Sequence, residues 1–468
     1  MAIQRLTTAR GLLALALPMA AGVGVGFFLH FMNRLFLAWY SPDALAASYP
    51  AGMLTWTLQG FFVASASYLG SFAAQHHGAG EDDEAGAMCW PGLWCGLIAT
   101  AISLAIIPLR GPIVALFGLR DPAVAAQMAE LTGWYLAETG PIALMAAMSG
   151  FFAGLGRTRL VFALSAGGCL VSIALNRWLI FGGFGIPALG VTGAGIATLV
   201  TSLLSLAVWS ALFFAPRMRA VFGTWRNRNA DGARIRRFCR YALPRGGSEV
   251  LEMVAFLVFS AAITRLPTAS VSASNIAFSI YLLVLVPVMG LSQGVAIAVG
   301  QCLGAGRPDL ARSVGWLAVR LATPVLCAVA VIFLVFPEQL AALYADTDAD
   351  AAGAAARWEE IRSQVAPVLA CLAIAAIGDG LHWIFRMVVV GAGDTRWTLV
   401  AMVASAILIL ALPVWALLRL ADPALLASWN VTALTASYAM FALYCWVIAA
   451  IMFLRFLFGP WRGMSVRR

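Results

Sequence analysis

Apolar runs long enough to cross a hydrocarbon core of about 30 Å recur about twelve times along the chain. They cover 11–39, 44–75, 87–109, 123–153, 159–182 and 191–214, then 241–263, 271–301, 313–336, 364–390, 397–419 and 432–458. Polar residues gather between the runs and are rare inside them, the pattern of helices surrounded by lipid and by one another. The longest polar interruption, 215–240, holds eight arginines and a single acid, Asp231. It divides the chain into 1–214, a basic linker at 215–240, and 241–468, with six runs on each flank. The predicted fold class is all-α integral membrane, with twelve transmembrane helices in two six-helix lobes.

The two halves repeat each other. Leu15-Ala-Leu-Pro18 and Tyr241-Ala-Leu-Pro244 lie 226 positions apart, and Gln75-His-His-Gly-Ala-Gly80 keeps that offset to Gln301-Cys-Leu-Gly-Ala-Gly306. Gly154-Leu-Gly-Arg-Thr158 and Gly391-Ala-Gly-Asp-Thr395 are 237 apart, an insertion that the Ala/Asp-rich stretch 345–357 would absorb. With six helices per repeat both halves start on the same side, so the lobes are expected to be related by a pseudo-two-fold axis along the membrane normal.

Composition agrees. The 468 residues are 62% hydrophobic and 11% charged, far below the roughly 25% charged residues of soluble domains. All 30 basic residues are arginine. Without lysine there is no GxxxxGK[ST] phosphate loop, which excludes a pump carrying that type of ATP-binding domain. The net charge of +9 reflects basic loops rather than nucleic-acid binding. Arginine excess collects at both termini and the linker, whereas Asp43, Asp121, Glu338, Asp346, Asp348, Asp350 and Asp422 lie on the other side. Both termini are therefore expected in the cytoplasm of a bacterial inner membrane. The eight cysteines show neither CxxC nor Cys/His metal spacing and read as small core residues. No cleavable signal is evident, since the first run is too long and belongs to the repeat.

Two acids stand deep in apolar runs. A helix entering near Phe238 carries Glu252 about 20 Å inward, close to the bilayer midplane. A carboxylate there costs roughly 2.5–3.5 kcal/mol unless it faces a cavity or a partner. Asp379 is as deep in its own run. Two carboxylates at one depth either raise each other's pKa or share a cation. Asp379 could instead pair with Arg386, seven residues on, and His382 is either a proton relay or hydrogen-bonded packing. Arg245 and Glu249 read as a surface pair, whereas Glu130 and Glu138 receive no role. Trp56 and Trp383 could line a cavity for aromatic cations. His76-His77 beside the acids at 81–84 reads as a solvated turn rather than a metal site, and Gly190-Val-Thr-Gly-Ala-Gly195 as close helix packing.

These motifs carry a resemblance. The first helix and its exit, Phe31 to Ala47, the Gln75…Gly80 turn, the stretch Leu179-Ile-Phe-Gly-Gly-Phe-Gly-Ile-Pro-Ala-Leu-Gly-Val-Thr-Gly-Ala-Gly-Ile-Ala-Thr198, and Gly391-Ala-Gly-Asp-Thr395 together resemble the MATE (multidrug and toxic compound extrusion) transporters. The likeness covers essentially the full chain and favours the NorM-like branch over the DinF-like one. It implies a secondary antiporter that exports organic solutes in exchange for Na+ or H+, without a cofactor or resident metal. By the resemblance, Glu252 is the primary cation ligand, Asp379 its partner and Ser279 a neutral oxygen ligand. Where many members carry acids in the first lobe, this chain has Asn33 and Asn176, with Ser172 one turn earlier. These amides cannot titrate but can hydrogen-bond a substrate, so Asn33, Ser172, Asn176, His382 and Trp383 are the candidate cavity residues. Arg34 and Arg177 beside them either hold fixed charge near the cavity or, for Arg34, reach to the outer surface.

A monomer that contacts a small-molecule substrate and membrane lipid, and no nucleic acid, is the expected working unit. A flippase of lipid-linked saccharides on a related fold is the alternative. An intramembrane enzyme is remote, since the chain shows no HExxH, no paired Asp motif and no Ser/His/Asp set at plausible depth.

Overall fold

The computed structural model describes residues 2–117, 119, 121–183, 185–344, 354–420 and 432–467. Asp346, Asp348, Asp350 and Asp422 lie outside the described residues, as does most of the 345–357 insertion. Twelve helical rods run through the described chain. In the first half they are α1 (Ala9–Tyr40), α2 (Pro42–Ser67, continued past Tyr68 by Leu69–Gly78), α3 (Asp82–Ala115), α4 (Pro122–Gly154), α5 (Thr158–Phe181) and α6 (Gly190–Phe213). The second half supplies α7 (Gly232–Ile263), α8 (Thr268–Gly304), α9 (Pro308–Val335), α10 (Ala354–Ala392), α11 (Thr395–Leu417) and α12 (Ala433–Phe458).

Eleven rods are long and apolar enough to cross a bilayer, and α2 is the exception. Its hydroxyls lower its hydropathy but are satisfied locally: Thr55, Thr57, Ser48 and Ser67 each donate to a carbonyl three or four residues back. A rod with such internal partners can still sit among other helices. The seventh rod begins at Gly232, so 232–240 is helix rather than connection.

Local signals set the helix starts. Ser41 accepts from the backbone N–H groups of Asp43 and Ala44, and Asp121, Asp231 and Thr432 cap α4, α7 and α12 in the same way. Each cap satisfies a donor that the first turn leaves without a helical partner.

The repeat becomes geometry where the lobes meet. α1 packs on α8 and α7 packs on α2, each first helix against the second helix of the other half. At the face that holds both chain ends, α2 and α8 cross with their backbones in contact. A Cβ on Gly78 would stand 2.2 Å from the carbonyl oxygen of Gln301, and one on Gly304 would stand 1.9 Å from that of Gln75. Gly78 and Gly304 are 226 positions apart, so one close approach is made twice.

The glutamines of the same motif exchange partners. Gln75 Nε2 donates to the carbonyl oxygens of Gly391 (3.0 Å) and Ala392 (3.3 Å), and Gln301 Nε2 donates to that of Gly154 (2.8 Å). Gly154 and Gly391 open the second pair of repeated turns, so each half's glutamine closes on the other half's turn. The C-terminal residues complete the seam: Val466 N donates to Gln75 Oε1 (3.0 Å), and the Arg467 guanidinium pairs with Glu81 and donates to the Gly304 carbonyl oxygen (3.1 Å).

The acidic turn is ion-paired while still partly open to solvent. Asp83 meets Arg226 (2.7 Å), Glu84 meets Arg234 and Arg237 (3.0 Å each), and His77 meets Asp82 (2.6 Å). His76 is buried and reaches Glu81 at 2.8 Å. Among the described residues no group of His, Cys, Asp and Glu is placed to hold a metal. The linker arginines therefore fasten the first lobe to the start of the second.

Candidate functional site

Glu252 and Asp379 do come into one neighbourhood. α7 carries Glu252 and α10 carries Asp379, and both carboxyls lie near enough to Tyr444 and Cys445 of α12 to act on them electrostatically. Their immediate partners differ.

Glu252 is tied to an arginine. Arg386 Nη1 donates to Glu252 Oε2 at 2.7 Å, and Arg386 Nη2 lies 3.7 Å from Glu249. The Arg386 side chain is fully buried, which requires such anions, and its guanidinium also lies 5.0 Å from the centre of the Trp383 ring. Glu249 in turn takes Arg245 at 2.6 Å. The Arg245–Glu249 pair expected at the surface is thus half inside: Arg245 is buried and joins a chain of four alternating charges. Arg386 follows Asp379 by about two helical turns, yet its side chain leans across to α7. Spacing on one helix could not show this choice.

Asp379 has no arginine among its described partners. Tyr281 on α8 donates its hydroxyl to Oδ2 at 2.8 Å, and His382, with its proton on Nδ1, donates to Oδ1 at 3.3 Å. The His382 ring is buried and its Nε2 has no protein partner. The Tyr281 ring is buried, tilted against Phe278 and edge-on to Phe441, which holds its hydroxyl toward the acid. A carboxylate held by one hydroxyl and one imidazole, with 18% of its side chain still open, can take and release a cation.

Ser279 sits elsewhere. Its hydroxyl donates to the Asn275 carbonyl oxygen one turn back (2.7 Å) on an exposed face of α8, and it touches neither acid. Tyr281, two positions on, supplies the oxygen instead. Its signal in the sequence was a polar-tipped ring in an otherwise apolar run.

In the first lobe Asn176 is fully buried, and its Nδ2 donates to the Ser172 carbonyl oxygen (2.8 Å) and hydroxyl (3.2 Å). Its Oδ1 and that of Asn33 are buried without a protein partner. Arg34 and Arg177 are exposed and lie over the Tyr49 and Phe181 rings at 4.9 Å and 4.8 Å. Trp56 meets His30 edge-on. The Trp383 ring lies under the Arg386 guanidinium.

Comparison with known proteins gives the family. The MatE family profile fits residues 18–178 and 244–416, one match in each half. The chain belongs to the MatE family. Multidrug resistance protein PmpM of Pseudomonas aeruginosa is 30% identical over 339 residues, 71% of this chain and 70% of its own. A probable multidrug resistance protein NorM of Pseudomonas putida is 29% identical over 345 residues, 73% of this chain and 74% of its own. Among solved structures, MATE in complex with MaL6 superposes with a TM-score of 0.84 at 18% identity, over 98% of both chains. An outward-facing multidrug resistance MATE transporter of the MOP superfamily gives 0.83 at 18%, over 100% of this chain and 99% of its own. The family is one of transporters, so the chain is a NorM-like membrane transporter and not an enzyme.

Proposed function

We propose that this MatE protein exports organic solutes, cationic or amphipathic in character, by alternating access in exchange for Na+ or H+. The acid cluster on α7 and α10 is its coupling site. The observation that carries the reading is the contrast between two acids at one depth: Glu252 is neutralised internally by Arg386, and Asp379 keeps hydroxyl and imidazole partners alone. Asp379 is then the group that exchanges the cation, and Glu252 holds the local charge in balance. His382 and Tyr281 tune Asp379 without competing for it as a fixed cation would.

Alternating access is supported by the seam at the chain-end face. Two symmetric glycine crossings and three exchanged glutamine bonds form a contact that the oppositely open state would lose. Such a two-state element is what a cation can bias, provided it binds one state more tightly than the other. The arginine distribution supports a cytoplasmic position for that face and a bacterial inner-membrane location. Saccharide-lipid flippases of related fold often have a cationic cavity, whereas Arg386, buried beside the acids, is already neutralised by Glu252.

The test is efflux of a fluorescent cationic dye from proteoliposomes, with sodium and pH gradients imposed separately. Efflux driven by one or both gradients is expected. Lipid flipping without gradient-driven efflux would support the alternative.

A further inference from the structure

Five acids lie well inside the described helices: Glu130, Glu138, Glu249, Glu252 and Asp379. Glu249 and Glu252 pair with arginines, Asp379 serves the site above, and Glu130 accepts a short hydrogen bond from the Thr192 hydroxyl. Glu138 on α4 is the most buried of the five, 9% exposed. The Ser202 hydroxyl on α6 donates to its Oε2 at 3.4 Å, and the Gln59 side chain on α2 lies beside it. Gln59 is itself held by donating from Nε2 to the Tyr135 carbonyl oxygen at 2.8 Å.

The repeat gives this acid a counterpart. The offset of 237 that carries Gly154 onto Gly391 sets Asp379 against position 142, one helical turn from Glu138 on α4. Asp379 meets the second helix of its lobe through Tyr281. The offset of 226 sets Tyr281 against position 55, one turn from Gln59 on α2. Each lobe therefore holds an acid in the middle of its fourth helix that pairs with no arginine, Glu138 buried and Asp379 mostly so.

We propose that Glu138 is a second proton-binding site, the first lobe's counterpart of Asp379, whose protonation is tied to the transport cycle. The proposal rests on the efflux reading above. The Ser202 hydroxyl brings its hydrogen to the carboxyl, and Gln59 is held beside it by its bond to the Tyr135 carbonyl oxygen. The exchange is a carboxylate taking up one proton to become a carboxylic acid and releasing it on the other side.

The surroundings leave this titration largely to Glu138. α6 has no titratable residue, and those of α2 (Asp43, Tyr49, Tyr68, His76 and His77) stand away from its middle. α3 contributes its acidic start, Cys89, Cys95 and, near its other end, Arg110. α5 contributes Arg159, Cys169 and Arg177, the last held on the Phe181 ring, and α8 contributes Tyr281 and Cys302. On α4 itself Tyr135 is one turn away, with Arg34 of α1 beyond it. None forms an ion pair with Glu138.

The test measures protons exchanged per dye molecule exported, from the flux-reversal point in proteoliposomes under imposed pH gradients. In E138Q the ratio is expected to fall by about one proton from the wild-type value, with dye binding retained. Ser202→Ala keeps the acid but removes a donor that favours its charged form. It is expected to move the pH midpoint of efflux upward, which a purely structural serine would not do. An unchanged ratio in a well-folded E138Q overturns the proposal, as does a wild-type protein that exchanges no protons. If E138Q does not reconstitute, the Ser202→Ala midpoint decides alone, and an unmoved midpoint overturns it. Failure of the underlying reading looks different: wild-type liposomes then extrude dye under neither gradient.

Discussion

Replacing Arg386 with methionine tests whether Glu252 depends on an internal cation. The guanidinium is fully buried, 2.7 Å from Glu252 and 3.7 Å from Glu249. At an effective dielectric constant of about 20, Coulomb's law gives roughly 6 kcal/mol for the shorter contact. Desolvating a buried arginine costs several kcal/mol, which offsets most of that, so the intact pair contributes little net stability. Removing one partner is another matter: it leaves Glu252 without its cation, at a cost of about 3–5 kcal/mol. The lower end applies here, because 29% of the Glu252 side chain stays open. Glu249 is spared, since Arg245 remains at 2.6 Å. Arg386→Met is therefore expected to lower the thermal midpoint of the detergent-solubilised protein clearly. The double substitution with Glu252→Gln is expected to regain roughly 2 kcal/mol of the loss, a coupling that a double-mutant cycle reads directly. If the double variant is as unstable as the sum of the singles, the pair does not exist as described.

Other outcomes follow from the seam and its surroundings. Gly304→Val places a side chain 1.9 Å from the Gln75 carbonyl oxygen, and Gly78→Val meets Gln301 at 2.2 Å, so either should abolish efflux in protein that still inserts and binds dye. Gln75→Ala removes bonds to Gly391, Ala392 and Val466, each worth about 1 kcal/mol net. It should speed amide exchange at Ser465–Arg467 and 391–395 while leaving α9 unchanged. The Arg467 guanidinium holds the Glu81 carboxyl below its ordinary value. A depressed acid contributes above its unfolded pKa and loses that contribution as pH falls through the folded one. The C-terminal tail should therefore stay docked at neutral pH and loosen only in acid below about pH 4.5, seen as faster exchange at Val466. In Arg467→Ala that acid-triggered step should be missing.

The sequence carried the architecture because helix length, apolar composition and repeated turns are local or periodic properties. Leu15–Pro18 against Tyr241–Pro244 and Gln75 against Gln301 were enough to see two parallel halves. The crossing of the glutamines between halves was not legible, since it depends on how two helices meet at Gly78 and Gly304. The site was readable as residue types in depth: Glu252 and Asp379 stood out by the cost of burying charge. Their partners were not, because Arg386 has reach enough to choose between α7 and its own helix. Ser279 lies apart from the acids for a related reason. A serine in a helix satisfies its hydroxyl on the carbonyl one turn back, as Ser279 does on Asn275, and has little left to offer a neighbour. Glu138 was visible as an acid beside Gly140-Pro141, but its meaning appears only once Gln59 and Ser202 are seen to close around it.

Whether Asp379 is the exchanging acid is decided by one comparison. Wild-type, Asp379→Asn and Glu252→Gln proteins are reconstituted, and dye efflux is driven by a sodium gradient or a pH gradient alone. Asp379→Asn is expected to bind dye yet lose gradient-driven efflux, while Glu252→Gln keeps a reduced but still gradient-dependent flux. Full gradient-driven efflux by Asp379→Asn would contradict the account.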